Sequence, residues 1–219
     1  LIEFEGRDFE LDGLMDLIES LLKAMYAASS EIYRCGMLEN YITLPFNRVS
    51  YSEAIETLQN KGLEVRYGDD LGSEEELALC EAYSSLPTFV TLYPADPKPK
   101  EGGVIKFFSM KRNSDKTICC DLLLPFVGES VGGAVREGSS ETCKKQFEES
   151  YMHDHLLERD VDPGQFDWYF DVLSQGVGQS AGCGIGFERV VQSVLASLNS
   201  GISIKEAVEL PRSPEYLLP

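Results

Sequence analysis

The chain has 219 residues, carries 19 Lys and Arg against 37 Asp and Glu for a formal charge of −18 at pH 7, and is 43% apolar. That is the composition of a globular protein long enough to bury a sizeable core in one large or two small domains, not of a disordered segment. The charge argues against holding nucleic acid by bulk electrostatics and gives no reason to expect a DNA partner, because phosphate affinity comes from clustered Lys and Arg; a local basic site stays open.

The start, Leu1-Ile2-Glu3-Phe4-Glu5, is no secretion signal and lacks an initiator Met, so the chain is expected to begin inside a longer protein. Ile2 and Phe4 alternate with Glu3 and Glu5, a strand pattern. From Asp12 to Tyr33, Leu14, Leu17, Ile18, Leu21, Leu22, Met25, Ala28 and Ile32 form a 3.6-period stripe on a long helix, with Gly36 as its stop. Pro45 to Ser50 reads as a connector. Ser50-x-x-Glu53 opens a helix that runs to Lys61 and ends at Gly62, and Ser73-x-x-Glu76 opens another. Thr88 to Tyr93 is β-rich, and Pro94, Pro97, Pro99, Gly102 and Gly103 mark a surface loop. Val104–Met110 and Thr117–Leu124 flank Asn113-Ser114-Asp115 as an antiparallel hairpin, followed by a Gly-rich strand from Val127 to Arg136. Glu141 to Asp160 is charged and helical, Phe166 to Leu173 a short aromatic helix, and Ile185 to Leu198 the last helix. Antiparallel strands with separate helices predict an α+β fold. No run of about 18 apolar residues occurs, so no membrane-crossing helix is predicted. The six cysteines, Cys35, Cys80, Cys119, Cys120, Cys143 and Cys183, form no C-x-x-C pair and read as reduced thiols of an intracellular protein.

Three clusters carry residues fit for chemistry. Asp121 and Glu129 fall on neighbouring strands, and two such carboxylates can hold Mg²⁺ against a triphosphate, since Mg²⁺ takes oxygen ligands from few protein groups plus phosphate. Arg136 would fork onto a substrate carboxylate. Glu129 and Arg136 are an odd number of residues apart, so sharing a face requires a bulge or bend, expected at Gly132-Gly133. The plainer alternative is a Gly-rich turn with solvated charges. In Ser180-Ala181-Gly182-Cys183-Gly184-Ile185-Gly186-Phe187-Glu188-Arg189, alternate glycines permit close approach of a planar or anionic ligand, and Arg189 would meet a phosphate. This is neither a Walker loop nor a Rossmann turn, and a tight strand-to-helix junction explains it equally well. Tyr67-Gly68-Asp69-Asp70-Leu71-Gly72-Ser73-Glu74-Glu75-Glu76 would place a carboxylate against an α-amino group, or simply favour a helix N-terminus. His153-x-His155 diverges on a helix and has no third His, which favours solvated residues over a metal site or a Ser-His-Asp triad.

Taken in order, Gly68-Asp69-Asp70-Leu71 with Ser73-Glu74, Phe89-Val90-Thr91 with Tyr93-Pro94, Asp121-Leu122-Leu123 with Pro125, Gly128-Glu129, Gly132-Gly133, Arg136-Glu137, Trp168-Tyr169, Gly182-x-Gly184-x-Gly186-x-Glu188-Arg189 and Pro211-Arg212-Ser213-Pro214 form a long series of motifs. The series resembles the C-terminal two-thirds of a class II aminoacyl-tRNA synthetase core, in the asparaginyl-tRNA synthetase branch, from about Ile2 to Pro214. Leu1 to Leu22 resembles the end of motif 2 and its helix, and the Gly182–Arg189 stretch resembles motif 3. The fold implied is an antiparallel β-sheet flanked by helices and lacking its N-terminal part, with residues 1–219 as one catalytic domain.

The resemblance implies roles. Asp121 and Glu129 would bind Mg²⁺-ATP, with Gly184, Gly186 and Arg189 at the nucleotide and Arg189 on the γ-phosphate. Arg136 would hold the side-chain end of the amino acid, Asn or Asp, Glu74 its ammonium, and Ser180 and Gly182 would line its site. Arg136 and Arg189 would serve catalysis by positioning and charge neutralisation, giving an aminoacyl adenylate. A cytoplasmic homodimer is implied for the full-length protein, with tRNA as an acceptor that the net charge does not itself support. Three departures stand out: motif 1 and the motif 2 Arg are not in this chain, Gln179-Ser180-Ala181 replaces Pro-His-Gly, and Leu173-Ser174-Gln175-Gly176 replaces Arg-Arg-Tyr-Gly. The Ser-Ala-Gly form resembles the archaeal asparagine synthetase related to this branch, which activates aspartate for amidation by ammonia without tRNA. An asparagine--tRNA ligase, that amidating relative and a non-catalytic binding module remain as alternatives.

Overall fold

The computed structural model describes residues 1–96 and 98–211; Pro97 of the predicted loop and residues 212–214 of the terminal motif lie outside the described residues. Strand β1 (Ile2–Arg7) leads into α1 (Leu11–Ser30), whose Leu14, Ile18, Leu22 and Tyr26 form a buried i, i+4 row. The helix ends earlier than the apolar stripe predicts: Ser29 and Ser30 hydroxyls turn back to donate to the Met25 and Ala27 carbonyls at 2.9 and 2.7 Å. Gly36 is not a stop but opens α2 (Gly36–Thr43), capped by the Cys35 sulfur. The predicted connector contains a strand, β2 (Asn47–Ser50), followed by α3 (Tyr51–Asn60) with its Ser50–Glu53 capping box intact. In α4 (Ser73–Ala82) the cap sits one residue earlier than expected: Gly72 N–H donates to Glu75 Oε2 at 3.0 Å, which leaves Glu76 free to reach across to the sheet.

Strand β3 (Thr88–Thr91) is followed by a hairpin much smaller than predicted, β4 (Arg112–Asn113) with β5 (Lys116–Thr117). Val104–Met110 forms no strand and crosses the site as irregular chain tied by single bridges, Asp69 to Gly103 and Met110 to Arg136. The central strands β6 (Cys119–Leu124) and β7 (Gly128–Val135) pair antiparallel. The charged helical stretch is two helices, α5 (Ser140–Glu148) and α6 (Tyr151–Glu158), because Ser150 caps the second by accepting His153 N–H. Helix α7 (Asp167–Ser174) follows, and the glycine-rich segment is itself a strand, β8 (Ser180–Ile185), before α8 (Phe187–Ala196).

The main sheet runs β1-β8-β7-β6-β3-β2. The expected antiparallel sheet is mixed: β2 and β3 pair in parallel. A parallel pair needs a long crossover, here the residues from Tyr51 to Pro87 that hold α3 and α4. Cys120, Leu122, Leu124, Val131, Val135, Ala181, Cys183 and Ile185 face α1 and α8 in one core. On the opposite face Cys119, Leu123 and Ala134 pack beneath α3 and α4. Asp121 shares this second face, placed by the period-2 alternation of β6. A third, aromatic cluster of Phe108, Phe147 and Phe170 joins α5 and α7.

Candidate active site

The second face of the sheet is floored by glycine. Gly132 pairs with Asp121 on one side and Gly184 on the other, and Gly184 pairs with Glu3; in the next row Ala134 pairs with Gly182 and Gly182 with Glu5. A Cβ on Gly132 would stand 3.5 Å from a Glu129 oxygen and 3.8 Å from an Asp121 oxygen, and one on Gly182 would overlap the Glu5 carboxylate. The glycines keep the floor flat so that acidic side chains can lie across it.

A bulge does bring Glu129 to this face, but not at Gly132-Gly133. The register shifts opposite Leu122 and Leu123, and Ser130 is the extra residue. Gly133 stays in register because it is wedged between Leu14, Cys120 and Cys183. Without the shift Glu129 would fall opposite Leu124 and point into the apolar core; with it, Glu129 pairs with Leu123 and shares the face of Asp121.

A cavity of about 350 Å³ collects Asp70, Glu76, Asp121, Glu129, Lys106, Arg136 and Tyr93 over Gly132 and Gly133. Lys106 Nζ lies 2.6 Å from Asp121 Oδ2, and the two side chains are only 16% and 12% exposed. Burial is the largest single influence on the Lys106 ammonium and disfavours it, but the charge and hydrogen bond of Asp121, together with Cys119 and Glu129, more than offset it and raise the Lys106 pKa. Lys106 also sits 3.8 Å from the Tyr93 ring centroid. Burial and then the Asp121 charge raise the pKa of Glu129, and Lys106 and Arg189 oppose the rise. Burial pushes the Glu76 carboxyl up to about 7, against the pull of the Glu129 N–H that it accepts at 2.9 Å.

Arg136 sits at the wall shared with a second cavity of about 560 Å³, lined by Phe107, Phe108, Trp168, Tyr169, Val172 and Leu173 among others. Its Nη2 lies 3.2 Å from Glu5 Oε2, and Ser180 Oγ donates to Glu5 Oε1 at 2.5 Å. A guanidinium donor and a carboxylate acceptor therefore stand side by side. Leu173, where the family resemblance led to the expectation of an arginine, lies in the apolar wall of this cavity.

The structure brings Asp121, Glu129 and Arg136 together and sets Ser180 and Gly182 beside Glu5. Gly184 belongs to the floor and Gly186 caps α8. Arg189 is exposed and donates to the Val127 carbonyl at 3.3 Å. Glu74 is exposed and is not among the residues lining either cavity; Glu76, two residues on, lines the first. His153 lies edge-on against Phe147 and His155 stacks on Tyr151. All six cysteines are unpaired, five of them buried. No helix among the described residues is long and apolar enough to cross a membrane.

Sequence reasoning missed Glu5 and Lys106; it named Glu76 only within an acidic cluster and Tyr93 only within a motif, without assigning either a place in the cavity. The alternation of β1 put Glu3 and Glu5 on one face, but only the pairing with β8 shows which face. Among the described residues no group of three or more His, Cys, Asp or Glu forms a complete metal cage. Two hard carboxylates on one open face, with an internal ammonium already lodged against one of them, suit Mg²⁺, which keeps most of its ligands from water and phosphate.

This fold has close counterparts among solved structures. Asparaginyl-tRNA synthetase from Pyrococcus horikoshii matches 99% of the chain and 49% of its own at TM-score 0.80 and 33% identity, and the same enzyme complexed with asparaginyl-adenylate at 0.79 and 32%. The chain matches the family described as tRNA synthetases class II (D, K and N) over residues 1–214, and it belongs to that family. The asparagine--tRNA ligases of Ureaplasma urealyticum and Pyrococcus furiosus are each 33% identical over 97% and 100% of this chain. The chain spans about half the length of these curated relatives, 48% in both cases.

Proposed function

We propose that this chain supplies the part of an asparagine--tRNA ligase that binds asparagine and ATP, forms asparaginyl adenylate and presents it to tRNA. The observation that carries the choice of amino acid is the Arg136–Glu5 pair. A carboxamide presents an oxygen acceptor and an NH₂ donor, and the pair offers the matching donor and acceptor. Aspartate would set a second carboxylate against Glu5, and a polar group left unpaired in such a site discriminates strongly. Ser180 supports the assignment, because its hydroxyl and Arg136 together hold the Glu5 carboxylate in place as the acceptor for the ligand.

Asp121 and Glu129 would hold Mg²⁺, which when bound neutralises phosphate oxygens and orients the triphosphate. Gly184 would face the nucleotide on the open part of the floor, and Gly186 and Arg189 would serve the triphosphate, with Arg189 on the γ-phosphate. The ammonium role inferred for Glu74 passes to Asp70, which lines the cavity. Catalysis then comes from positioning and from cationic side chains around the reacting phosphate, with no covalent enzyme intermediate.

Amino-acid-dependent ATP–pyrophosphate exchange on the native protein tests this reading. Exchange with Asn and not with Asp supports it. Exchange with Asp, followed by asparagine formation when ammonia is added, supports the amidating alternative. No exchange with either leaves a binding module.

A further inference from the structure

We propose that Glu76 is the positioning residue for Glu129: its carboxylate holds the β7 bulge that turns Glu129 from the apolar core onto the face of Asp121. The inference rests on the reading of Asp121 and Glu129 as the Mg²⁺-binding pair. The bulge is a choice of register: an unbulged strand would turn Glu129 into the apolar core, which disfavours it, and two hydrogen bonds and one glycine hold the shifted register in place. The Glu129 N–H donates to Glu76 Oε2 at 2.9 Å. Gly128 takes a φ of +86°, and a Cβ at that position would stand 2.3 Å from Glu76 Oε2, so this residue has to be glycine for the carboxylate to sit where it does. The buried Ser130 hydroxyl donates to the Gly128 carbonyl at 3.0 Å and is satisfied inside the bulge.

Helix α4 is built to deliver this carboxylate. Glu75 caps the helix start by accepting from Gly72, so Glu76 is not used locally and extends towards β7. One Glu76 oxygen is engaged with backbone, as suits a group that fixes geometry through an acceptor atom rather than through its charge. A glutamine keeps such an acceptor; a methionine of similar length does not.

The test compares E76Q, E76M and E129Q. Mn²⁺ is titrated in the presence of a non-hydrolysable ATP analogue and read by electron paramagnetic resonance, and amide hydrogen exchange of the 126–131 segment is followed without ligand. Loss of a group that orients a metal ligand weakens metal binding by roughly 10- to 100-fold. E76M is expected to weaken Mn²⁺ to that extent and to speed exchange at Glu129, with E76Q within about threefold of wild type, well short of that loss. E76M with unchanged Mn²⁺ affinity overturns the proposal. So does E76Q falling as far as E76M, which would make the charge the operative property. If E76M does not fold, the wild-type protein still decides: an unprotected Glu129 amide overturns the clamp. E129Q separates the two levels, since wild-type Mn²⁺ binding in E129Q overturns the metal assignment itself, whatever the Glu76 variants do.

Discussion

Asp121 and Lys106 form a nearly buried ion pair inside a cavity that holds three further carboxylates, so the removal of either partner leaves an uncompensated charge. Breaking such a pair from one side costs about 3–5 kcal/mol. Lys106→Met is expected to lower stability by about 3 kcal/mol without metal and to recover part of that loss when Mg²⁺ is added; thermal unfolding with and without Mg²⁺ measures both. Glu5 is the second residue on which the proposed chemistry turns. Glu5→Met removes the acceptor proposed to select an amide, and the expected result is a fall in kcat/KM for Asn of about 100-fold, with a rise in the Asp-to-Asn ratio, in pyrophosphate exchange. Asp121, Glu129 and Arg136 were legible as a group from residue type and strand spacing. Glu5 and Lys106 were not, because each is brought in by a segment distant in sequence. The bulge was legible as a necessity but not in its place: the glycines that looked like a hinge are a floor, packed against Leu14 and Cys183 beneath and the acidic side chains above.

At the scale of the elements, a helix announces itself where its period and its cap agree. Helix α3 carries the Ser50–Glu53 box in which Glu53 Oε2 accepts from the Ser50 N–H at 2.8 Å and Ser50 Oγ accepts from the Glu53 N–H at 3.3 Å. Ser50→Ala is expected to cost about 1 kcal/mol in denaturant unfolding. The Ser50 N–H and hydroxyl hold the Glu53 carboxyl below its usual value of 4.5. A lowered folded value means that this contribution is complete above pH 4.5 and fades as the pH falls through the folded value. The stability difference between wild type and Glu53→Gln should therefore shrink on acidification below that pH. Strand β8 was harder to read because Gly182 and Gly184 remove the side chains whose alternation marks a strand. Val104–Met110 misled for the opposite reason: its apolar residues, Val104 and Phe108, are buried into two different clusters by irregular chain.

Over the whole molecule, one mixed sheet separates two kinds of surface. The face towards α1 and α8 is continuous apolar packing, and the face towards α4 becomes a charged cavity where glycines replace side chains. The α+β architecture was legible because long periodic helices and short strands alternate irregularly along the chain. The parallel β2–β3 edge was not, because it depends on a crossover whose direction no local pattern records. The site spans β1, β6, β7 and β8 together with the 105–110 segment, so the selectivity proposed for it would be a property of the assembled sheet and of no single motif.

A crystal structure with Mg²⁺ and a non-hydrolysable asparaginyl-adenylate analogue tests that selectivity most directly. The expected result is the carboxamide oxygen hydrogen-bonded to Arg136, its NH₂ donating to Glu5, and the metal held by Asp121 and Glu129. An amide turned away from Glu5, or an aspartyl analogue seated equally well between the same two residues, would contradict it.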